Sequence, residues 1–137
     1  MAQGIAKGNV APFDYYSDDL RGEGAGVDPI SAVVDLDQSG APAQVASAEI
    51  LVYYIATEFA YTEIELAPIG EDAGVNWQIA GASGGPWLET LPLADQDARA
   101  ADKAVAVYLR ALVDNDGTVG VSKKTSCKIQ ISARGAL

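Results

Sequence analysis

Apolar residues recur at every second position along most of the chain after residue 29, which is the pattern of β-strands with one buried face. The longest apolar run, Ile50–Ala56, departs from this alternation because both of its faces are apolar. It is shorter than the about 20 residues that a membrane span needs, and it is rich in β-branched and aromatic types. We therefore expect a central strand that is covered on both sides, or covered on one side and held at a subunit contact on the other.

The other predicted strands have one apolar and one polar face, and turn-forming residues separate them. In one of them, Thr62, Ile64 and Leu66 should face inward while glutamates face water. The polar, alanine-rich stretch 95–103 is expected to form one or two helical turns between sheets. The predicted strands lie near residues 30–37, 49–57, 62–66, 75–79, 87–93, 105–113 and 126–134.

About seven strands in about 105 residues, with a turn every 8–12 residues or so, are typical of an antiparallel β-sandwich of the immunoglobulin-like type. The sequence therefore predicts an all-β fold with a single sandwich domain over residues 29–137. A chain of 137 residues that is 49% hydrophobic can bury a core without disulfides. Cys127 is the single cysteine, and its alternation with Ile129 and Ile131 predicts a small buried core residue rather than a reactive thiol.

Residues 1–28 have a different character, because glycine and proline interrupt them and neither a helical nor a strand period persists. They nevertheless carry Phe13, Tyr15 and Tyr16, which a pure solvent linker rarely holds. We expect an extended N-terminal arm whose aromatic residues bind a neighbouring subunit. The alternative is a loose tail, or a strap packed on its own domain. The segment has no apolar h-region, so we expect a protein made in the cytoplasm and not exported by the usual route.

The formal net charge of −10 argues against nucleic acid as a direct partner, because phosphates carry charge of the same sign. An acidic surface either keeps the protein soluble or docks it onto a basic surface, and the sequence leaves both open. No run of apolar residues is long enough to predict a membrane segment.

Local patterns that resemble catalytic or metal sites lack required residues. Gly81–Gly85 matches the G-x-S-x-G nucleophile elbow, but the chain has no histidine to take the serine proton. The stretch beginning Asp35-x-Asp37 resembles a calcium-binding loop, but Ala46 stands at the position that needs a bidentate glutamate. An acidic strand end explains this stretch, and weak calcium binding stays open. We expect no catalytic residue, no cofactor and no metal site, and therefore no enzyme.

Three large side chains have alternative interpretations as binding groups. Trp77 and Trp87 flank the Gly81–Gly85 turn, and their in-phase apolar neighbours favour a place in the core over exposure for stacking on sugars. Arg110 lies mid-strand on the second face of an apolar strand. It is either a surface arginine whose stem covers the sheet or an interface charge paired with an acidic residue.

Four stretches occur in a characteristic order: V-Y-Y-I-A-T, then G-V-N-W-Q-I-A-G-A-S-G-G-P-W-L-E-T-L-P-L, then A-V-A-V-Y-L-R-A-L-V-D-N-D-G, and finally K-I-Q-I-S-A. This order resembles the immunoglobulin-like sandwich domains of tailed-phage virion proteins and of bacterial surface proteins. In those domains a W-x-x-S-x-D-G-x-x-W-like hairpin is followed by a strand ending in V-x-V-R. Here Gly84 and Gly85 stand where Asp-Gly is common, and Leu109 precedes Arg110. The resemblance covers about two-thirds of the chain.

The resemblance, together with the single sandwich, the acidic composition and the glycine-rich N-terminal segment, implies a non-enzymatic virion structural protein. We expect a head decoration or cement protein that binds the capsid surface through its arm and a sandwich edge. A tail, neck or fibre-base component of the virion is the alternative within this class, and a carbohydrate-binding or adhesion module is the alternative from another class. The expected partner is a capsid or other virion protein, with several copies or a homo-oligomer on the particle.

Overall fold

A computed structural model of the chain describes residues 3–16, 30–36, 43–70, 73–115 and 120–136. Every regular element in these residues is a β-strand, and all the strand pairs are antiparallel. The described part of the chain is therefore all-β, as the alternating pattern predicts. Its strands are β1 (Gln3–Ala6), β2 (Ile30–Leu36), β3 (Gln44–Ala46), β4 (Ile50–Ala56), β5 (Ala60–Ile69), β6 (Val75–Ala80), β7 (Leu91–Leu93), β8 (Gln96–Asp97), β9 (Lys103–Asp114) and β10 (Gly120–Ala136).

The strands form two sheets, each built around one long strand. In the first sheet, β9 pairs with β4 and β3 along one side and with β6 along the other, and β1 pairs with the far side of β4. In the second sheet, β10 pairs with β2 along its first half and with β5 along its second half. The short strands β7 and β8 complete the second sheet at the other edge of β5.

One core contains buried side chains from both sheets, which is the arrangement of a β-sandwich. Alternate positions of the long strands supply it, so the pattern in the sequence is also the pattern of burial. Fully burying one large aliphatic side chain contributes about 1.5–3 kcal/mol, and several such residues are involved here. Those with at most 1% exposure include Val52, Tyr54, Ile64, Leu66, Val107, Leu109, Ile129 and Ile131.

The strand predicted to be central is β4, which lies between β1 and β9 in the first sheet. Val52 and Tyr54 on its inner face are fully buried in the core. On its other face Ile55 is also buried, but Leu51 is 42% exposed and Tyr53 is half-buried. The inner face is thus covered by the chain's own core, while part of the second face is open in the described structure.

The first residues of the predicted arm, those of β1, belong to the first sheet. All of β1 is buried, and it pairs with β4 over its whole length. The Tyr54 hydroxyl donates to the Gln3 side chain over 2.9 Å in the buried interior, and the Tyr16 N–H donates to the Ile5 carbonyl over 2.9 Å. This part matches the alternative of a strap packed on its own domain. Residues 17–29 lie outside the described residues.

The prediction that Thr62 faces inward is wrong, because β5 contains a bulge. Thr62 is exposed and Tyr61 is buried in its place. The register with β10 shifts between Ser132 and Arg134, so two residues of β5 lie opposite one residue of β10. One of the two, Glu63, has a φ of 54°. An extra residue of this kind exchanges inward and outward positions on one side of the bulge.

The helical turns expected for residues 95–103 do not form. Gln96–Asp97 pairs with β5 instead, and the Ala98 N–H donates to the Phe59 carbonyl over 2.9 Å. The Asp97 carboxylate then accepts the Arg99 N–H over 3.1 Å, a local side-chain to backbone bond that competes with helix formation.

The described residues hold ten strands where the alternation predicts about seven. The additional ones, β1, β3 and β8, have only two to four residues, which is too short for a periodic pattern to be recognised. Of the calcium-like stretch, Asp35 lies in β2, while residues 37–42 are outside the described residues. Among the residues that are described, no helix has the length and apolar character needed to cross a membrane.

Candidate functional site

The outward faces of the two sheets differ in composition. On the second sheet, described outward positions of β5 and β10 are mostly polar or charged, and Glu63 forms an ion pair with Arg134 over 2.9 Å. On the first sheet, outward positions are mostly aromatic, aliphatic or small. We call this outer surface of the first sheet the aromatic face, and define it by Tyr15, Leu51, Tyr53, Trp87, Tyr108 and Arg110. Contiguous exposed apolar surface on a soluble protein marks an interaction site, so the aromatic face is the candidate site.

Strand pairing accounts for the layout of the aromatic face. Tyr53 lies opposite Ala6 of β1 and Ala106 of β9, while Leu51 lies opposite Tyr108. Tyr108 has Ala80 of β6 on its other side. Each of the two tyrosines therefore has an alanine on at least one side, and both stay half-buried rather than covered.

Two of the three aromatic residues assigned to the arm lie at one edge of the aromatic face. Tyr15 pairs with Ala6 beside β1, and its ring lies edge-on to Phe13 with 6.1 Å between ring centroids. Burial and then the negative charge of Asp102 raise the pKa of Tyr15. Tyr16 follows in the opposite phase and packs against the core. The sequence thus groups three residues that the structure places on two sides of the sheet.

Arg110 lies within the aromatic face, where two neighbours hold its guanidinium. The Nε group donates to Gln78 Oε1 over 2.8 Å, and the guanidinium carbon lies 4.6 Å from the centroid of the Trp87 ring. This geometry is a cation–π stack. Within the described residues Arg110 forms no ion pair, so its half-buried side chain combines a stem lying on the sheet with a charge that acts on the Glu49 carboxylate only from beyond ion-pair distance.

The two tryptophans occupy opposite faces of the first sheet. Trp77 in β6 is 3% exposed and belongs to the core, as predicted. Trp87 is half-buried outside the core, so the prediction of a core position is wrong for this residue. Leu88 exchanges two backbone hydrogen bonds of 2.8 Å with Ile79, and this pairing turns Trp87 to the outer surface.

The turn that matches the nucleophile elbow binds the carboxylate of Glu49. The Ser83 hydroxyl donates to Glu49 Oε2 over 2.6 Å, and the Gly84 N–H donates to Glu49 Oε1. These two hydrogen bonds, followed by the charge of Arg110, lower the pKa of Glu49. A carboxylate is a weaker proton acceptor than the histidine that serves the serine of a nucleophile elbow.

A glycine at position 85 is what allows this turn to lie against Trp87. Gly85 has a φ of 97°, and a Cβ there would approach Trp87 to 3.0 Å. A side chain would be strained by the backbone angle and would also displace the indole. The turn therefore shapes the Trp87 end of the aromatic face.

Sequence reasoning identified Arg110 and Trp87 as candidates but missed the residues that hold them. Gln78, Ser83 and Glu49 come from three separate segments, and only the strand register brings them together. The signal that was present is the two-sided apolar character of β4, which puts Leu51 and Tyr53 on an outer face. In the part of the chain that the structure describes, no three acidic or cysteine side chains come together in a way that would hold a metal ion.

The aromatic face offers flat apolar contact area, tyrosine hydroxyls and one oriented guanidinium. Aromatic residues and arginine are the types enriched in the centres of protein–protein interfaces. Comparison with known proteins adds no candidate, because no protein-family model and no curated protein matches the chain.

Proposed function

We propose that this chain is a non-enzymatic structural protein of a tailed-phage virion, a head decoration protein that docks onto the capsid surface. The observation that carries the proposal is the aromatic face, where Leu51 is 42% exposed and Tyr53 and Tyr108 are half-buried. One side of the first sheet is packed in the core while the other presents apolar surface, as expected for a protein that functions in an assembly. The resemblance to sandwich domains of phage virion proteins supplies the class of assembly.

In this proposal the aromatic face docks, rather than a free arm and a sandwich edge. β1 belongs to the first sheet and the bridge between Ala6 and Tyr15 holds the following loop against it, so Phe13 and Tyr15 extend the docking surface from the β1 edge. The formal charge of −10 attracts the chain to basic patches on a shell at long range. Apolar contact over the aromatic face then holds it at short range, since rim charges act mainly on the rate of association.

The finer details of the proposal follow the same resemblance. We propose an immunoglobulin-like topology for the sandwich and several copies on each particle. A tail, neck or fibre-base component would use the same docking surface within the virion. Glycan binding is less well supported, because Trp77 lies in the core and Arg110 covers one face of the Trp87 ring.

The test uses virion particles that lack this protein and a matched pair of variants. We expect the purified chain to co-sediment with such particles in many copies, and Leu51→Glu to abolish co-sedimentation because it places a charge in the contact. Ile69→Glu is the control, because Ile69 is 41% exposed on the second sheet and should tolerate the same change. Failure of the unmodified chain to co-sediment, or equal loss in both variants, would contradict the proposal.

A further inference from the structure

We infer that Arg110 is the anchor of the docking surface and that it receives a carboxylate from an aspartate or glutamate of the partner protein. This inference rests on the proposed docking through the aromatic face and adds the chemistry of its central contact. It is based on which nitrogen atoms of the guanidinium donate hydrogen bonds within the described chain and which do not.

The guanidinium of Arg110 is oriented but only partly used. Its Nε donates to Gln78, and its plane is held against the Trp87 ring. The two terminal amino groups have no hydrogen-bond acceptor within the described residues. Terminal amino groups in one fixed plane match the two oxygens of a carboxylate, which is the bidentate geometry that arginine provides and lysine does not.

The acid that the strand register places beside Arg110 is held by other donors. Ile50 lies opposite Leu109, so Glu49 lies at the level of Arg110 on the neighbouring strand. Both oxygens of the Glu49 carboxylate accept hydrogen bonds from Ser83 and Gly84. Those bonds orient the carboxylate toward the turn, and the guanidinium is left for an acceptor from outside the described chain.

The surroundings favour a singly charged carboxylate from a protein over a phosphate. Glu49 lies nearby, and the whole chain carries a formal charge of −10, so a dianion or a phosphate backbone is repelled more strongly. Gln78 and Glu49 lie on the two strands beside Arg110, and the next outward row of the face holds Leu51 opposite Tyr108. A partner that covers this row excludes water from one side of the charge-assisted pair, and arginine and tyrosine are residue types enriched in interface hot spots.

The first experiment uses sodium acetate as the probe and needs no partner protein. We expect acetate to shift the NMR signals of the Arg110 Nε–H and the Trp87 indole N–H saturably, beyond the effect of sodium chloride at equal ionic strength. Sodium phosphate should have a smaller effect. The internal control is Arg134, which is exposed on the second sheet and already paired with Glu63. Linear, equal shifts at Arg110 and Arg134, or a larger response to phosphate, would overturn the inference.

The second experiment measures binding to particles. We expect Arg110→Gln to weaken binding about 30-fold, the size of a typical hot-spot substitution. Arg110→Lys should also weaken it, because lysine keeps the charge but loses the planar fork. Arg134→Gln is the matched control and should bind normally, and an unchanged thermal unfolding curve for each variant shows that the sandwich is intact.

The outcomes separate this inference from the proposed function. If Leu51→Glu abolishes particle binding while Arg110→Gln leaves it unchanged, docking through the aromatic face stands and the carboxylate contact is wrong. If the unmodified chain does not bind particles, the proposed function is wrong, and a saturable acetate response still establishes Arg110 as a carboxylate-binding residue. Loss of either the acetate response or the effect of Arg110→Gln, in a chain that binds particles, overturns the inference.

Discussion

The role of Arg110 depends on residues that are distant in sequence. Gln78 is 32 positions away and accepts from its Nε, while Trp87 supplies the ring beneath the guanidinium. From the sequence, an arginine in the middle of a strand has two interpretations, a surface residue or an interface charge. The pairing of β6 with β9 places Gln78 beside Arg110, and the pairing of Leu88 with Ile79 places Trp87 on the same face. The alternation of apolar residues contains no information about either contact.

The hydrogen bonds to Glu49 predict a pH effect. The pKa of this carboxyl lies below its ordinary value in the folded protein, mainly because of Ser83, so its contribution to stability is present above that ordinary value. The contribution is lost as pH falls through the lowered pKa. We expect Ser83→Ala to raise the pKa of Glu49 in a carboxyl-carbon NMR titration, with Ser132→Ala on the second sheet as a control that changes nothing. An unchanged titration in Ser83→Ala would show that the hydrogen bond is absent in solution.

Cys127 provides a test of the register of β10. Its side chain is fully buried with Ile129 in the core, as the alternation predicts. A thiol reagent can react with this side chain only after local opening of the fold. An opening that costs about 3 kcal/mol slows labelling about 100-fold relative to the unfolded chain. We expect labelling of the native protein to be slower than labelling in denaturant by at least about this factor. Rapid labelling of the native protein would place Cys127 on the outside.

At the scale of elements, long strands are predictable and short ones are not. β9 and residues 127–133 of β10 repeat their alternation over many residues, so their type and inward positions follow from the sequence. β1 has four residues with no repeating pattern, and its burial depends on pairing with β4 about 50 positions away. The bulge at Glu63 cannot be recognised in the sequence either. An extra residue exchanges the inward and outward positions of a strand without changing the strand's amino-acid composition.

Ile5 tests whether β1 is part of the sandwich. It is 2% exposed in the core, so we expect Ile5→Ala to lower the free energy of unfolding by about 2–5 kcal/mol in urea denaturation. Val10→Ala, at a position that is 75% exposed, should change it by less than about 0.5 kcal/mol. For the same reason, deletion of residues 1–28 should destabilise the sandwich. Deletion of an arm that does not pack on the sandwich would leave its stability unchanged. Equal, small effects of the two substitutions on the free energy of unfolding would show that β1 is not part of the sheet in solution.

At the scale of the whole molecule, the sequence predicts the all-β class and most of the core. It also indicates one half of the candidate site, because the two apolar faces of β4 imply that Leu51 and Tyr53 lie on a surface needing a cover. The other half consists of Tyr15, Trp87 and Arg110, which reach this surface through pairings between distant segments. Such pairings are set by the assembled sheet and not by any local period.

The most direct test of docking through the aromatic face is hydroxyl-radical footprinting of the chain, free and bound to virion particles. Tyr53, Tyr108 and Trp87 are half-buried on the aromatic face, whereas Val33 and Ile69 are exposed on the second sheet. We expect particle binding to protect the three aromatic residues from oxidation and to leave Val33 and Ile69 unchanged. Protection of Val33 and Ile69, with the aromatic residues oxidised as in the free chain, would contradict docking through the aromatic face.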